Sequence, residues 1–180
     1  MTTEATSKQQ QSGIMTGLFT DKQSSESAYR SLRDRGYSDD DINVVMSDDT
    51  RKKYYANDPE SELGSKAAEG TGVGGAIGGT LGAIIAGVAA MGTNLVLPGL
   101  GLVVWGPLAA ALAGAGAGAL TGGLVGALVG WGIPEDHAVV YENGIKNGGT
   151  VIGVKPRSAE DAAALRTDWE TNRGQSIYNS

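Results

Sequence analysis

The strongest constraint on the fold is a long stretch without charge in the middle of the chain. Residues 70–134 contain no Asp, Glu, Lys, Arg or His, and they hold 20 of the 29 glycines in a chain of 180 residues. All charged residues therefore lie in the two flanking segments, where they sum to a net charge of −6. The sequence predicts a polar domain that is interrupted by an apolar, glycine-rich insert.

Small residues recur at every fourth position in two parts of this insert. In a helix, such residues form a smooth stripe that lets another helix approach closely enough for backbone packing. Glycine costs about 1 kcal/mol per helical position relative to alanine, so this many glycines need close packing or a membrane to offset the penalty. Between the rows, Pro98-Gly99 and Gly106-Pro107 break the helical pattern and predict a turn. We therefore predict an antiparallel glycine-zipper helical hairpin over residues 70–132, whose helix-packing residues are Gly70, Gly74, Gly78, Gly82, Gly114, Gly118, Gly122, Gly126 and Gly130.

The surroundings of this hairpin have two interpretations. Each arm has roughly 22 to 26 residues, which is long enough to cross about 30 Å of hydrocarbon. Gly and Ala are weak drivers of insertion, however, and the tip of the hairpin would be the apolar run from Leu95 to Val104. Because this run is too apolar for water, we expect it in lipid, folded back on the hairpin, or buried between subunits.

The segment before the insert begins with a polar leader. Residues 1–13 consist mainly of Thr, Ser and Gln, and we predict that they are disordered. The following apolar run ends at Phe19, which predicts a strand. Asp21 or Ser24 is then placed to cap a helix that Gly36 ends.

A second strand is predicted after this helix. Its apolar residues alternate with others, which indicates burial on one face, at Ile42, Val44 and Met46. We assign residues 14–56 to the first half of an α/β domain and residues 57–69 to a linker.

The segment after the insert has the matching pattern. It predicts a helix from Pro134 to about Lys146, a strand from Thr150 to Val154, a helix that Ser158 and Asp161 begin and that buries Ala162, Leu165 and Trp169, and a last strand from Gln175 to Tyr178. Residues 133–180 are thus the second half of the domain. Together the halves predict an α+β fold, a small ferredoxin-like α/β sandwich split by the long helical hairpin.

Composition argues against several kinds of chemistry. The chain has no Cys and a single histidine, His137, so thiolate metal sites, cysteine nucleophiles and conventional acid–base dyads are not expected. Its negative net charge argues against a nucleic-acid partner. We therefore expect no catalytic residues, no cofactor and no metal.

Three local motifs have simpler interpretations than a binding site. Residues 70–75 match GxGxxG but do not follow a strand, and no acidic residue lies about 20 positions downstream to hold a ribose. The acidic residues of 39–41 and 48–49 lack the spacing of a calcium loop and fit a helix start and a turn. The basic cluster of residues 51–53 with Tyr54 and Tyr55 fits either contact with anionic lipid or a solvated linker.

The order of these features resembles a known family. The features are Gly17-Leu18-Phe19 before a capped helix, the run from Leu32 to Ile42, the glycine-zipper hairpin, Gly132-Ile133-Pro134-Glu135, Tyr141-Glu142, and Gly148-Gly149 before a strand. Over roughly residues 14–154 the chain is similar to the bacterial general stress proteins with a heat-induced YflT-type domain, in particular to members that carry a hairpin. The resemblance implies a stress-associated bacterial protein, and it transfers no catalytic residue.

The expected function is therefore that of a non-enzymatic general stress protein. Its hairpin, residues 70–132, is expected to mediate membrane association, self-assembly or both, with the α/β domain in the cytoplasm. The alternative is a soluble cytoplasmic homo-oligomer whose hairpins are buried between subunits. A small-ligand-binding α/β domain ranks lowest, because the sequence shows no polar constellation for it.

Overall fold

The computed structural model describes residues 13–55, 58, 61, 63, 94–97, 101–110 and 122–180. In these residues the protein is mixed α/β. The strands are β1 Met15–Phe19, β2 Ile42–Ser47, β3 Asn94–Leu97, β4 Leu102–Trp105, β5 Thr150–Val154 and β6 Gln175–Asn179. The helices with two described ends are α1 Lys22–Asp34, α2 Asp48–Tyr54, α3 Gly123–Gly130, α4 Glu135–Lys146 and α5 Ala159–Thr171.

The six strands form one antiparallel sheet in the order β3-β4-β2-β5-β1-β6. Strand β5 lies between β2 and β1, so that Ile152 is opposite both Val44 and Gly17. The segments before and after the insert therefore share one sheet, as the sequence predicts.

Local signals account for the helix ends. Asp21 caps α1, because its Oδ1 accepts a hydrogen bond from the Ser24 amide at 2.9 Å. Gly36, with a φ of +80°, takes the left-handed conformation that ends this helix region. Ser158 caps α5 in the same way, since its Oγ accepts from the Asp161 amide at 3.1 Å.

Apolar side chains cover both faces of the sheet. Helices α1 and α5 contribute Leu32 and Trp169 to the core on one face, whereas α3 and α4 contribute Leu128 and Tyr141 to the core on the other. The prediction that β2 is buried on one face is wrong, because Val45 on its second face is 1% exposed. The covering helices α3 and α4 lie far away in sequence, so the alternation within β2 alone does not reveal them.

The apolar run predicted at the tip of a helical hairpin is instead part of this sheet. Strands β3 and β4 pair with each other, and β4 pairs with β2 at Val45↔Val104. The part of the run in β4 lies in none of the three expected locations, because Leu102, Val104 and their neighbours in β4 are buried within the domain. Pairing with β2 satisfies the backbone hydrogen bonds that an apolar turn would leave exposed.

The remaining parts of the insert are only partly described. Gly70, Gly74, Gly78, Gly82, Gly114 and Gly118 lie outside the described residues, as do residues 1–12 of the expected leader. Of the expected linker, only Asp58, Ser61 and Leu63 are described. Of the predicted glycine rows, Gly122, Gly126 and Gly130 are described, at the start and along the length of α3.

An ionic and aromatic network joins the two halves of the domain. The Arg35 guanidinium donates to Asp168 Oδ2 through Nε at 2.9 Å and through Nη2 at 2.5 Å. The Arg157 guanidinium stacks 4.1 Å from the ring centre of Tyr37, whose hydroxyl donates to Asp161. Burial and the neighbouring carboxylate raise the pKa of Tyr37 to about 12. The network holds the end of α1 against α5, at Asp161 near its start and Asp168 near its end.

Tyr141 gives a test of burial on the second face. Its hydroxyl donates to the Ser176 carbonyl at 2.7 Å and lies 2.9 Å from Thr16 Oγ1, and burial raises its pKa to about 12. Above about pH 10 the unfolded chain loses this proton first, so Tyr141 alone should lower the free energy of unfolding by up to about 1.4 kcal/mol per pH unit until about pH 12, in addition to the contribution of Tyr37. Urea unfolding across this range measures the slope.

Tyr141→Phe provides the control for this prediction. The variant should be less stable at neutral pH by about 1–2 kcal/mol, since the buried Thr16 hydroxyl and the Ser176 carbonyl each lose a partner. Its free energy of unfolding should also fall less steeply between about pH 10 and pH 12, and the remaining slope should include the contribution of Tyr37. An unchanged alkaline slope in the variant would show that Tyr141 is not the buried group that titrates.

Candidate assembly surface

The described part of the second glycine row lies on the outward side of α3. Helix α3 turns Leu124, Ala127 and Leu128 into the core, and leaves Gly126 and Gly130 exposed. We call the exposed side of α3 and α4, formed by Gly126, Val129, Gly130, Val139 and Val140, the assembly surface.

The domain itself does not need glycine at these two positions. Within the described part of the chain, a Cβ atom built on Gly126 or Gly130 would meet nothing within 4 Å beyond the helix's own backbone and adjacent residues. Neither residue has a positive φ, so alanine fits the backbone as well. Each glycine nevertheless weakens the helix by about 1 kcal/mol relative to alanine. The small residues therefore have no packing role that the described part of the chain accounts for.

Gly122 differs from the other two. It precedes α3 and is exposed, and a Cβ atom there would lie 3.0 Å from Gly126 Cα. Gly122 is the first described member of the row, and its closeness to the Gly126 backbone also favours a small residue there.

Large apolar side chains are exposed on the same two helices. The exposed large hydrophobic residues among those described are Val129, Val139 and Val140, with 44%, 42% and 43% of their surfaces accessible. All three belong to α3 or α4, although α4 buries Ala138, Tyr141 and Ile145 on its other side. Single exposed valines are ordinary, but three on a helix pair that also exposes two glycines favour a contact surface.

Sequence reasoning missed the part that α4 plays in this surface. Val139 and Val140 are adjacent, so a helix that buries Ala138 and Tyr141 must turn at least part of that pair outward. The helical spacing thus indicates an exposed apolar side on α4. The predicted two-layer sandwich has helices on one face of the sheet only, so a second layer formed by α3 and α4 was not expected.

The other residues considered from the sequence have structural roles. Tyr29 donates to Asp39 at 2.6 Å, and Asp41 accepts from the Ser38 amide and hydroxyl, so these carboxylates stabilise the turn before β2. His137 is half-buried, and its ring centre lies 5.1 Å from that of Tyr178. Within the described ranges, no group of three or more His, Cys, Asp or Glu side chains is arranged to hold a metal ion.

The basic cluster is largely neutralised within α2. Arg51 and Lys52 both form ion pairs with Asp48, at 2.7 Å and 2.6 Å, and these contacts hold the pKa of Asp48 below its usual value. The Lys53 ammonium lies 4.7 Å from the centre of the Tyr54 ring. The arrangement favours the interpretation of a solvated surface helix over a site for anionic lipid.

Among the helices in the described residues, none combines the length and the apolar character needed to cross a bilayer.

Comparison of the chain with protein families, with curated proteins and with solved structures finds no match. The likeness to the bacterial general stress proteins remains the resemblance in motif order described above. The function proposed for the chain therefore rests on the geometry of the domain and on the sequence pattern.

Proposed function

We propose that the protein is a non-enzymatic, stress-associated bacterial protein that uses its glycine rows for self-assembly, for membrane attachment, or for both. The observation that carries the proposal is the exposed position of Gly126 and Gly130 on α3, where the fold itself leaves room for larger side chains. The stress association and the bacterial source come from the resemblance in motif order.

The spacing of the row supports a helical contact. Residues 110, 114, 118, 122, 126 and 130 are all Ala or Gly. Residues four apart share one face of a helix, and Gly126 and Gly130 do so on the outward side of α3, which begins at Gly123. Such a stripe permits backbone approach, Cα–H···O contacts and extensive van der Waals packing. A helix from the first row, a helix from another copy of the chain, or lipid would complete the packing.

The three exposed valines, Val129, Val139 and Val140, favour membrane attachment in addition to self-assembly. A helix pair with small and β-branched apolar residues outside presents little desolvation cost to lipid, and the charged residues of α4 lie mainly near its ends. In that arrangement the α/β domain faces the cytoplasm. The soluble alternative buries the same surface between subunits.

For the domain, we further propose a ferredoxin-like core with two additions. The strand order β2-β5-β1-β6, with α1 and α5 on the same face, supports this assignment. The first addition is the β3–β4 hairpin beside β2. The second is the α3–α4 pair, which covers the face that such a sandwich leaves open.

Leucine substitutions on α3 test the proposed function. In the Gly126→Leu, Gly130→Leu double variant, the domain should stay folded and its helix should be more stable, because both positions are open and leucine is the better helix former. Assembly should decrease, since bulky side chains prevent close helix approach. Analytical ultracentrifugation of the full chain measures particle size, and flotation with vesicles measures membrane attachment.

Ala163→Leu is the matched control. It adds an exposed leucine on α5, which covers the opposite face of the sheet from α3 and α4, so it should leave particle size and flotation unchanged. Loss of assembly in the double variant but not in the control supports the proposal. Unchanged particle size and flotation in the double variant would refute it, and loss of thermal stability would show that the glycines serve the fold.

A further inference from the structure

A cavity of about 530 Å³ lies where several strand ends and turns meet. It is lined by the turn before β2, the start of β2, the segment after β4, the turn between α3 and α4, and the residue after β5. The lining residues with chemical significance are Asp40, Asp41, Asn43, Pro107, Trp131 and Lys155. Its volume is in the range of small-molecule sites, and it is separate from the assembly surface.

Asn43 supplies a buried polar group to the cavity. Its side chain belongs to a residue that is only 4% exposed, and its Oδ1 accepts a hydrogen bond from the Leu108 amide at 2.6 Å. Its Nδ2 carries two hydrogens but has one long contact, 3.4 Å to the Gly153 carbonyl. At least one buried N–H donor is therefore left for an acceptor in the cavity.

Trp131 supplies an aromatic wall. Its indole lies directly on β5, where a Cβ atom at Gly153 would come within 2.5 Å of the six-membered ring. Glycine at that position thus makes room for the ring. Pro107 adds a second apolar lining group. Together they offer a surface for a compact apolar body.

Charges of both signs complete the lining. Lys155 and Asp40 are exposed, and neither forms an ion pair within the described ranges. Asp41 accepts two hydrogen bonds from Ser38 through Oδ2, and these hold its pKa below the usual value, so it is a carboxylate at neutral pH. The cavity therefore has carboxylates and an aromatic ring to bind an ammonium group, and a lysine to bind a carboxylate.

We propose that this cavity binds a small zwitterion, an ammonium and a carboxylate carried on one compact apolar body, such as a free apolar amino acid. Asp40 and Asp41 bind the ammonium group, Lys155 binds the carboxylate, and Trp131 packs against the apolar body. The Asn43 amide donates to an oxygen of the carboxylate. This inference does not depend on the proposed role of the glycine rows.

Three probes that share one apolar body test the proposal. They are L-phenylalanine, which has both charges, 2-phenylethylamine, which has the cation alone, and 3-phenylpropanoate, which has the anion alone. Titration calorimetry of the full chain should show saturable binding of L-phenylalanine at least about tenfold tighter than of either analogue. Trp131 is the half-buried tryptophan, so binding should also change the fluorescence of the wild type and not of Trp131→Phe.

Two exposed substitutions separate the charges. Lys155→Gln should weaken binding of L-phenylalanine and 3-phenylpropanoate about tenfold and leave binding of 2-phenylethylamine unchanged. Asp40→Asn should weaken binding of L-phenylalanine and 2-phenylethylamine about tenfold and leave binding of 3-phenylpropanoate unchanged. Lys146→Gln, on α4 and outside the cavity lining, is the control and should change nothing. Absence of saturable binding, equal affinity for all three probes, or indifference to both substitutions would overturn the proposal.

Discussion

Gly106→Ala should destabilise the protein by roughly 3 kcal/mol or more, because two penalties act at one residue. Gly106 has a φ of +90°, which disfavours any residue with a side chain. A Cβ atom there would overlap the Ile42 carbonyl oxygen and lie 2.9 Å from Asn43 Cα, where the backbone cannot move without breaking β2. The urea midpoint of the full chain should fall accordingly.

Gly101→Ala is the matched control for this prediction. Gly101 also has a positive φ, +63°, but a Cβ atom there would meet no atom of the described residues within 4 Å. Its substitution should cost only the conformational strain, about 1–2 kcal/mol. Equal losses in the two variants would contradict the close contact between the end of β4 and β2, and with it the place of β4 in the sheet.

Trp169→Ala should lower the free energy of unfolding by about 3–5 kcal/mol, which is a large part of the stability of an ordinary domain. Trp169 is 0% exposed, and its ring meets Phe19 edge to face at a centroid distance of 5.6 Å. Gly17 on β1 makes room for it, since a Cβ atom there would lie 2.9 Å from the indole. Removing the ring leaves a cavity between α5 and the sheet.

Trp169→Phe distinguishes loss of volume from loss of a specific contact. The indole N–H of Trp169 is buried and has no hydrogen-bond partner among the described residues, so phenylalanine removes an unsatisfied donor while it keeps an aromatic ring. The phenylalanine variant should therefore lose much less stability than the alanine variant. A urea midpoint for Trp169→Ala in the range of surface substitutions would contradict the burial of this helix face.

Local signals predicted the polar segments well. Asp21, Ser158 and Gly36 mark helix ends through short-range chemistry, which depends only on neighbours in sequence. The strand at residues 150–154 and the buried face of α5 likewise follow from β-branched residues and helical spacing. For these elements the local preferences of the sequence agree with the observed fold, so the sequence alone is sufficient to find them.

The β3–β4 hairpin shows why the insert was harder to interpret. Its strands have four residues each, too few for a clear alternation, and they lie in a stretch whose lack of charge resembles a membrane segment. Two apolar runs separated by a segment with Pro98-Gly99 are also a hairpin signal, and β-branched Val103 and Val104 strengthen it. The glycine periodicity on both sides led to a helical interpretation of the whole insert.

The cavity could not be predicted from the sequence. Asp40, Asn43, Pro107, Trp131 and Lys155 come from distant parts of the chain, and only the order of strands brings them together. None belongs to a motif whose spacing indicates a site. The outward side of α3 is an intermediate case, because the sequence predicted the small-residue row but not the Leu124 and Leu128 face that anchors α3 to the sheet.

The central claim, that the small-residue side of α3 is covered in the native particle, can be tested with single cysteines, since the chain has none of its own. Gly126→Cys places a thiol in the row, and Ala163→Cys places one on the exposed side of α5, on the opposite face of the sheet. Modification of the assembled or membrane-bound full chain by a water-soluble maleimide should be much slower for Gly126→Cys than for Ala163→Cys. It should become equally fast once the particle is dissociated and the chain unfolded. Equal rates in the intact particle would contradict the account.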